Sequence, residues 1–382
     1  MISLDMFGLS KTDTTDMNMK DNIFEGRSIQ TQMFENKFAS ILSVKYALGV
    51  SSGFAALQLA LLSCGIKAGD EVLVDPLFKY GAFATVQCNA IPVFYDVSTE
   101  NFMPNVGDIL KKISVKTKAI VITNVFGCTP DLKGIRTLCD KMGIYLIEDC
   151  AQTLMCKHND RYAGTYGDIG IFSFRFTHYF SLDSGGVLVT NNEHIYRKAL
   201  FMHDESVEMF LNSDDKLIMR YSYRMPELVS NVALSKFEFL ESVVLYHKTI
   251  GKYITEMLNA VNLKVQDNMY GEHVYWKVGV LIDDQKLYYR LENKLKGNEL
   301  VEFGLNNKKV VPELDWFRYS KREDVFCCPY DCIFAGEKSK KESEVVNAKK
   351  IVNSILSIKI KYDLSIHFYE KIINTILEEL DG

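Results

Sequence analysis

Between residues 46 and 190 short β-rich runs alternate with helical ones, and no other feature constrains the fold as much. YALGV (46–50), EVLVD (71–75), PVFYDV (92–97), AIVITNV (119–125) and IYLIED (144–149) read as strands. IGIFSF (169–174) and GVLVT (186–190) complete the set. GFAALQLALLSCG (53–65) and DLKGIRTLCDKMG (131–143) have the length and glycine stop of helices. Strands alternating with helices imply an α/β fold, a mostly parallel sheet covered on both faces. Ligands of such sheets sit beyond the carboxyl ends of the strands.

After Asn192 the pattern changes. Long helical stretches fill 227–261, HVYWKVGVLID (273–283) is β-rich, and a last helix is expected near 366–380. The expected division is a large domain over 1–240, with an N-terminal arm over 1–45, and a smaller α+β domain over 241–382. The charge run KSKKESE (338–344) reads as a solvated segment.

A net charge of −5 speaks against a nucleic-acid partner. No stretch approaches the ~20 apolar residues of a membrane span, and the first residues lack a basic-then-apolar leader. A cytoplasmic protein is expected. Its nine cysteines then read as reduced thiols. Cys327, Cys328 and Cys332 cluster in FCCPYDC, but too few further ligands stand near them for a metal or cluster site. No metal is expected.

Three strand ends offer chemistry, each with a structural alternative. VSSGFAAL (50–57) is a strand–turn–helix whose small residues suit a phosphate at a helix N-terminus, or a plain cap by Ser51 or Ser52. Asp149 closes an apolar strand, where a carboxylate holds a cation such as a protonated pyridine nitrogen, or caps a helix. GTYGDIGIFSFRFTHYFSLDSGGVLVT (164–190) reads as strand, polar loop, strand, and carries Ser173, Arg175, Thr177 and His178. Dinucleotide, P-loop, zinc-protease and nucleophile-elbow motifs are missing.

Taken in order, SSGFAAL (51–57), PLFKY (76–80), EDCAQ (148–152), GTYGDIGIFSFRFTH (164–178) with Gly185–Gly186, and YSYRM (221–225) resemble the sugar aminotransferases of the DegT/StrS type. The likeness runs over nearly the whole chain. It implies fold type I of the pyridoxal phosphate (PLP) enzymes. It also implies that Asp149 pairs with the pyridinium nitrogen, Gln152 lies at the phenolic oxygen and Tyr80 stacks on the ring. Ser52, Gly53, Phe54 and Ser173 would hold the phosphate. The YSYRM segment would reach across a homodimer, giving shared active sites, with Ser222 at the partner's phosphate and Arg224 at the substrate.

The chain departs from the pattern where it matters most. His178 replaces the lysine that forms the Schiff base, and no lysine occurs between Lys157 and Lys198. Imidazole forms no such link but shuttles protons. PLP, or its amine form PMP, is therefore expected to bind non-covalently. A related branch, GDP-4-keto-6-deoxymannose 3-dehydratase, carries the same replacement. The first expectation is thus a PMP-dependent enzyme that removes the C3 hydroxyl of a nucleotide-linked 4-keto sugar with His178 as acid/base. The alternatives are a sugar aminotransferase using glutamate and an inactive sensor or scaffold. The last is motivated by Phe54, Ser222 and Ser184, which stand where the family has threonine, asparagine and glutamate. Lys79, beside Tyr80, is a candidate relocated amine or an ordinary loop lysine.

Overall fold

A computed structural model describes residues 27–175, 178–205, 219–314 and 344–381. The segment before Arg27, Thr177, the Cys327–Cys328–Cys332 group and most of the 338–344 charge run lie outside the described residues.

Eleven helices are described in chain order: α1 (Ile29–Leu42), α2 (Gly53–Ser63), α3 (Lys79–Gln87), α4 (Val106–Lys112), α5 (Leu132–Met142), α6 (Glu193–His203), α7 (Glu227–Lys236), α8 (Leu240–Asn259), α9 (Gln285–Lys294), α10 (Val346–Ser354) and α11 (Ile366–Asp381). The strands are β1 (Tyr46–Val50), β2 (Glu71–Val74), β3 (Ile91–Phe94), β4 (Thr117–Thr123), β5 (Tyr145–Asp149), the hairpin β6 (Lys157–His158) and β7 (Arg161–Tyr162), β8 (Ile169–Ser173), β9 (Gly186–Thr190), β10 (Lys264–Val265), β11 (Lys277–Leu281), β12 (Val301–Phe303) and β13 (Ile355–Lys359).

Local chemistry sets the boundaries. Ser52 caps α2 by accepting the Ala55 N–H at 3.1 Å. Asp131 caps α5 through the Gly134 N–H, and Gly143, at φ 64°, ends it in the left-handed region. The helical stretches expected over 227–261 are two helices joined by a 3₁₀ turn at Phe237–Phe239.

The main sheet runs β1-β9-β8-β5-β4-β2-β3. β9 alone runs against the other six strands, antiparallel to β1 and β8; the pairs β2/β3, β2/β4, β4/β5 and β5/β8 are parallel. Its central strands are buried along nearly their whole length, as a sheet covered on both faces requires. Register places Thr123 opposite Asp149, and Asp149 opposite Ile171, at the carboxyl edge. A second, antiparallel sheet runs β10-β11-β13-β12. Helix α8 ties the two parts together: Leu240 and Val244 enter a core on the main sheet, and Ile250, Ile254 and Leu258 enter the core of the second. No described helix is long and apolar enough to cross a membrane.

Candidate active site

A cavity of about 540 Å³ opens at the carboxyl edge of β4, β5 and β8, against the N-terminus of α2. Ser52, Gly53, Phe54, Tyr80, Asp149, Gln152, Ser173 and His178 all line it, although 126 residues of chain separate the first from the last. Topology brings them together: each ends or follows a strand of one sheet, and the strands end on one side.

One corner is built for an anion. Ser52 spends its hydroxyl on the Ala55 N–H, while the Phe54 N–H has no acceptor among the described residues. The approach of α2 to β8 admits only glycine: a Cβ on Gly53 would lie 2.5 Å from Ser173 Cβ and 2.9 Å from its Oγ. A Cβ on Gly186 would lie 2.5 Å from Gly53 N. Two glycines thus hold the helix end against the sheet, its amides and positive dipole end turned to the cavity. The Phe54 ring lies 6.4 Å from that of Tyr80.

Asp149 lies on the floor and is buried. Oδ1 accepts the Ala151 N–H at 3.0 Å; Oδ2 has no hydrogen bond, and the carboxyl has no ion-pair partner, among the described residues. No helix begins at Asp149, so the cap expected as its alternative is not formed. Burial pushes its pKa up to about 6. A second buried carboxyl, Asp75, is pushed up to about 7, mainly by burial. Its Oδ1 accepts the Leu77 and Phe78 N–H groups.

Gln152 Oε1 accepts the Phe126 N–H at 2.7 Å, and Phe126 holds a left-handed φ of 58° to give it. The amide is fixed so that its NH₂ is the end left for a ligand. Tyr80 is half-exposed at the mouth, and its hydroxyl accepts from Arg175 Nη1 at 2.9 Å.

His178 lies opposite. Its backbone N–H closes a turn onto Arg175 O, and its ring packs 5.6 Å from that of Trp276. Nδ1 is buried with no partner among the described residues, which leaves Nε2 as the accessible ring nitrogen. Burial, then the charges of Arg175 and Lys277, press its pKa down to about 4. Lys277 is itself buried over the Trp276 ring, paired with Glu302.

Ser222 and Arg224 stay outside. Both are exposed; Ser222 bridges to Asp204 along the backbone, and Arg224 Nε lies 3.2 Å from the buried Asp204 carboxylate. Lys79 does line the cavity, with its ammonium 5.8 Å from the Phe83 ring. Ser184 lines it as well and donates to Ser51 O at 2.9 Å. Trp276 and Asn306, cavity residues from the C-terminal part, have no role in the sequence reading. Trp276 is one of only two tryptophans, and its position just before an apolar strand was the one available hint. Among the described residues no group of His, Cys, Asp and Glu is placed to hold a metal.

An uncommitted buried carboxylate oxygen, a glycine cradle at a helix end and a fixed amide donor suit a pyridinium ring, a phosphate and a phenolate. The residues present therefore fit PLP or PMP.

The profile of the DegT/DnrJ/EryC1/StrS aminotransferase family matches residues 11–377. A GDP-perosamine synthase of Vibrio cholerae is 34% identical over 272 residues, 70% of this chain and 74% of the relative. That of Escherichia coli O157:H7 is 32% identical over 272 residues, 71% and 74% of the two chains. Among solved structures, DesV of S. venezuelae superposes with a TM-score of 0.78 at 21% identity, over 92% of this chain and 89% of that one. A GDP-4-keto-6-deoxymannose-3-dehydratase with PLP and glutamate trapped superposes at 0.75 and 19% identity, over 91% and 92%. With the fold of the type I PLP aminotransferases and its SSGFAAL, PLFKY, EDCAQ and FSFRFTH segments meeting at one cavity, the chain belongs to the DegT/DnrJ/EryC1/StrS aminotransferase family.

Proposed function

We propose that this protein is a PLP- or PMP-dependent enzyme of a nucleotide-linked 4-keto sugar, that it holds its cofactor without a covalent bond, and that it transfers an amino group to the sugar. The observation that carries the cofactor half of this reading is the uncommitted Asp149 oxygen in the cavity that the Gly53–Ser173 cradle also lines. The GDP-perosamine synthases support the substrate half and favour amino transfer over the dehydration expected first. Dehydration at C3 stays as a second reading because of one residue, the histidine where the family has lysine.

When bound, the cofactor supplies an electron sink and, as PMP, the amino group. Asp149 would then hold the proton on the ring nitrogen, its pKa falling back from about 6 as the cation pairs with it. Gln152 would donate to the phenolic oxygen, and Tyr80, tethered by Arg175, would cover the ring. His178 is neutral near pH 7, so Nε2 would take up and return a proton between cofactor and sugar carbons. No cavity lysine follows β8, so retention would rest on the phosphate corner and Asp149. The same reading assigns cofactor binding to residues up to 240 and the cover to the smaller part from 241. It also carries a homodimer in which exposed Ser222 and Arg224 serve the partner's site.

The test is turnover of PMP-loaded protein with GDP-4-keto-6-deoxymannose, with and without glutamate, read by mass spectrometry. Amino sugar formed at the expense of glutamate supports transamination. A 3-deoxy sugar with free ammonia would move the assignment to dehydration. Failure to bind either cofactor form would leave a family member without the chemistry.

A further inference from the structure

Three consecutive residues of the second part, Asn306, Asn307 and Lys308, adopt left-handed backbone angles, with φ of 48°, 56° and 62°. L-residues avoid this region, and runs of it are rarer than single visits; asparagine tolerates it and lysine does not by itself. The surroundings enforce it. Gly304 N bonds to Ile355 O and Lys308 N to Leu305 O, both at 2.8 Å. Lys308 Nζ is held by both oxygens of Glu292, at 2.9 and 3.1 Å. Strain kept up in this way collects at functional sites.

What the turn achieves is the placement of one side chain. Asn306 lines the same cavity as Asp149 and His178. Its Nδ2 donates to Leu77 O at 2.6 Å, which fixes the amide and turns Oδ1 away from that carbonyl. Oδ1 has no donor among the described residues and is not fully buried, on a side chain that lines the cavity. An acceptor oxygen there repels phosphate oxygens and the carboxylates of an amino donor; it is satisfied by an O–H or N–H. Within the reaction cavity, a sugar ring is the part of a nucleotide sugar that offers hydroxyls.

We infer that Asn306 is a specificity residue whose Oδ1 accepts a hydrogen bond from a ring hydroxyl of the sugar, held in place by the left-handed turn and the bond to Leu77. This rests on the nucleotide-sugar reading above.

The test is calorimetric binding to PLP-loaded protein, which lacks the amine needed to react with a ketone. Two ligands are compared, GDP and GDP-4-keto-6-deoxymannose, on wild type and N306G. Glycine accepts φ of 48° readily, so the melting temperature should stay near wild type. N306A gives the same comparison should glycine loosen the turn. A loss of about tenfold for the sugar nucleotide with GDP binding unchanged is the expected result. Equal losses for both ligands would assign the contact to the nucleotide, and no loss would remove it; either overturns the inference. Should the wild type bind neither ligand, the nucleotide-sugar reading fails and this inference goes with it. If wild type binds and N306G binds equally, only the Asn306 assignment falls.

Discussion

The imidazole of His178 and the indole of Trp276 pack 5.6 Å apart at 37°, and they join two different sheets: His178 follows β8 of the main sheet, and Trp276 precedes β11 of the second. Burial in this contact, with the cations Arg175 and Lys277 nearby, keeps His178 neutral down to about pH 4. Asp183 and Asp149 are the acidic residues of the same cavity. The His178-dependent part of the rate should hold level from neutral pH to about 5 and fall below it as the imidazole protonates. Removing a nearby cation favours the charged ring, so Lys277→Met should move that acid limb to higher pH. An unmoved limb would show that Lys277 does not act on His178. His178→Asn should lower kcat by ~10²- to 10⁴-fold while the protein still binds cofactor, measured by absorbance titration.

The buried carboxyls Asp75 and Asp149 make a pH prediction of opposite sense. Their folded pKa values, about 7 and about 6, lie above the ordinary carboxylate value. A raised folded pKa means that the native state binds the proton more tightly. The stability it contributes is full below about pH 4 and is lost as pH rises to about 7. Asp75→Asn keeps an acceptor for the Leu77 and Phe78 N–H groups and removes the charge. Relative to wild type without cofactor, this variant should gain ~1–3 kcal/mol between pH 4 and pH 8 in denaturant titrations. A difference constant across that range would refute the assignment. Asp149→Asn should gain in the same way without cofactor but lose most of its PLP affinity.

Gly53→Ala tests the anion corner. The new Cβ meets Ser173 Cβ at 2.5 Å and its Cα at 3.1 Å. A loss of ~1–3 kcal/mol is expected, as for other overpacked contacts, together with weaker PLP binding. Adding Ser173→Gly should restore most of the stability by thermal melting, because the nearest atoms are then gone. It should leave phosphate affinity low. Full recovery of both would mean that the helix end plays no part in holding the cofactor.

Shared sites can be tested by mixing two inactive variants. His178→Asn disables the cavity of its own chain, and Arg224→Ala removes an exposed arginine that is anchored on Asp204 rather than turned to its own cavity. Co-refolded or co-expressed variants should regain activity that neither shows alone, since one site per mixed dimer is then intact. No recovery in a verified mixed dimer would confine Arg224 to its own subunit.

Much of the fold could be read locally. The seven strand runs between 46 and 190 became the seven strands of the main sheet, because apolar β-branched runs bounded by turns state their conformation over a few residues. Ends were less legible: the run read as 92–97 keeps strand geometry only over Ile91–Phe94, and the sequence did not mark where the helical stretches of 227–261 divide, which is at Phe237–Phe239. Hydrogen-bond partners fix these limits, and periodicity does not carry them. Within the site, Asp149 was legible because it ends an apolar strand. Asn306 was not, since nothing in GLNNKKV marks three left-handed residues in succession.

By itself the sequence determined the strand–turn–helix at Ser52–Gly53, the carboxylate that ends β5, and the histidine in place of the lysine. Each depends on residues within a few positions of one another. Tertiary structure alone decided that Trp276 and Lys277 lie against His178, that Asn306 reaches Leu77 from 229 positions away, and that Ser222 and Arg224 face outward. The first two depend on how the second sheet packs over the carboxyl edge of the first, and the last on pairing with Val50 and Asp204; packing of distant segments leaves no local pattern in the chain.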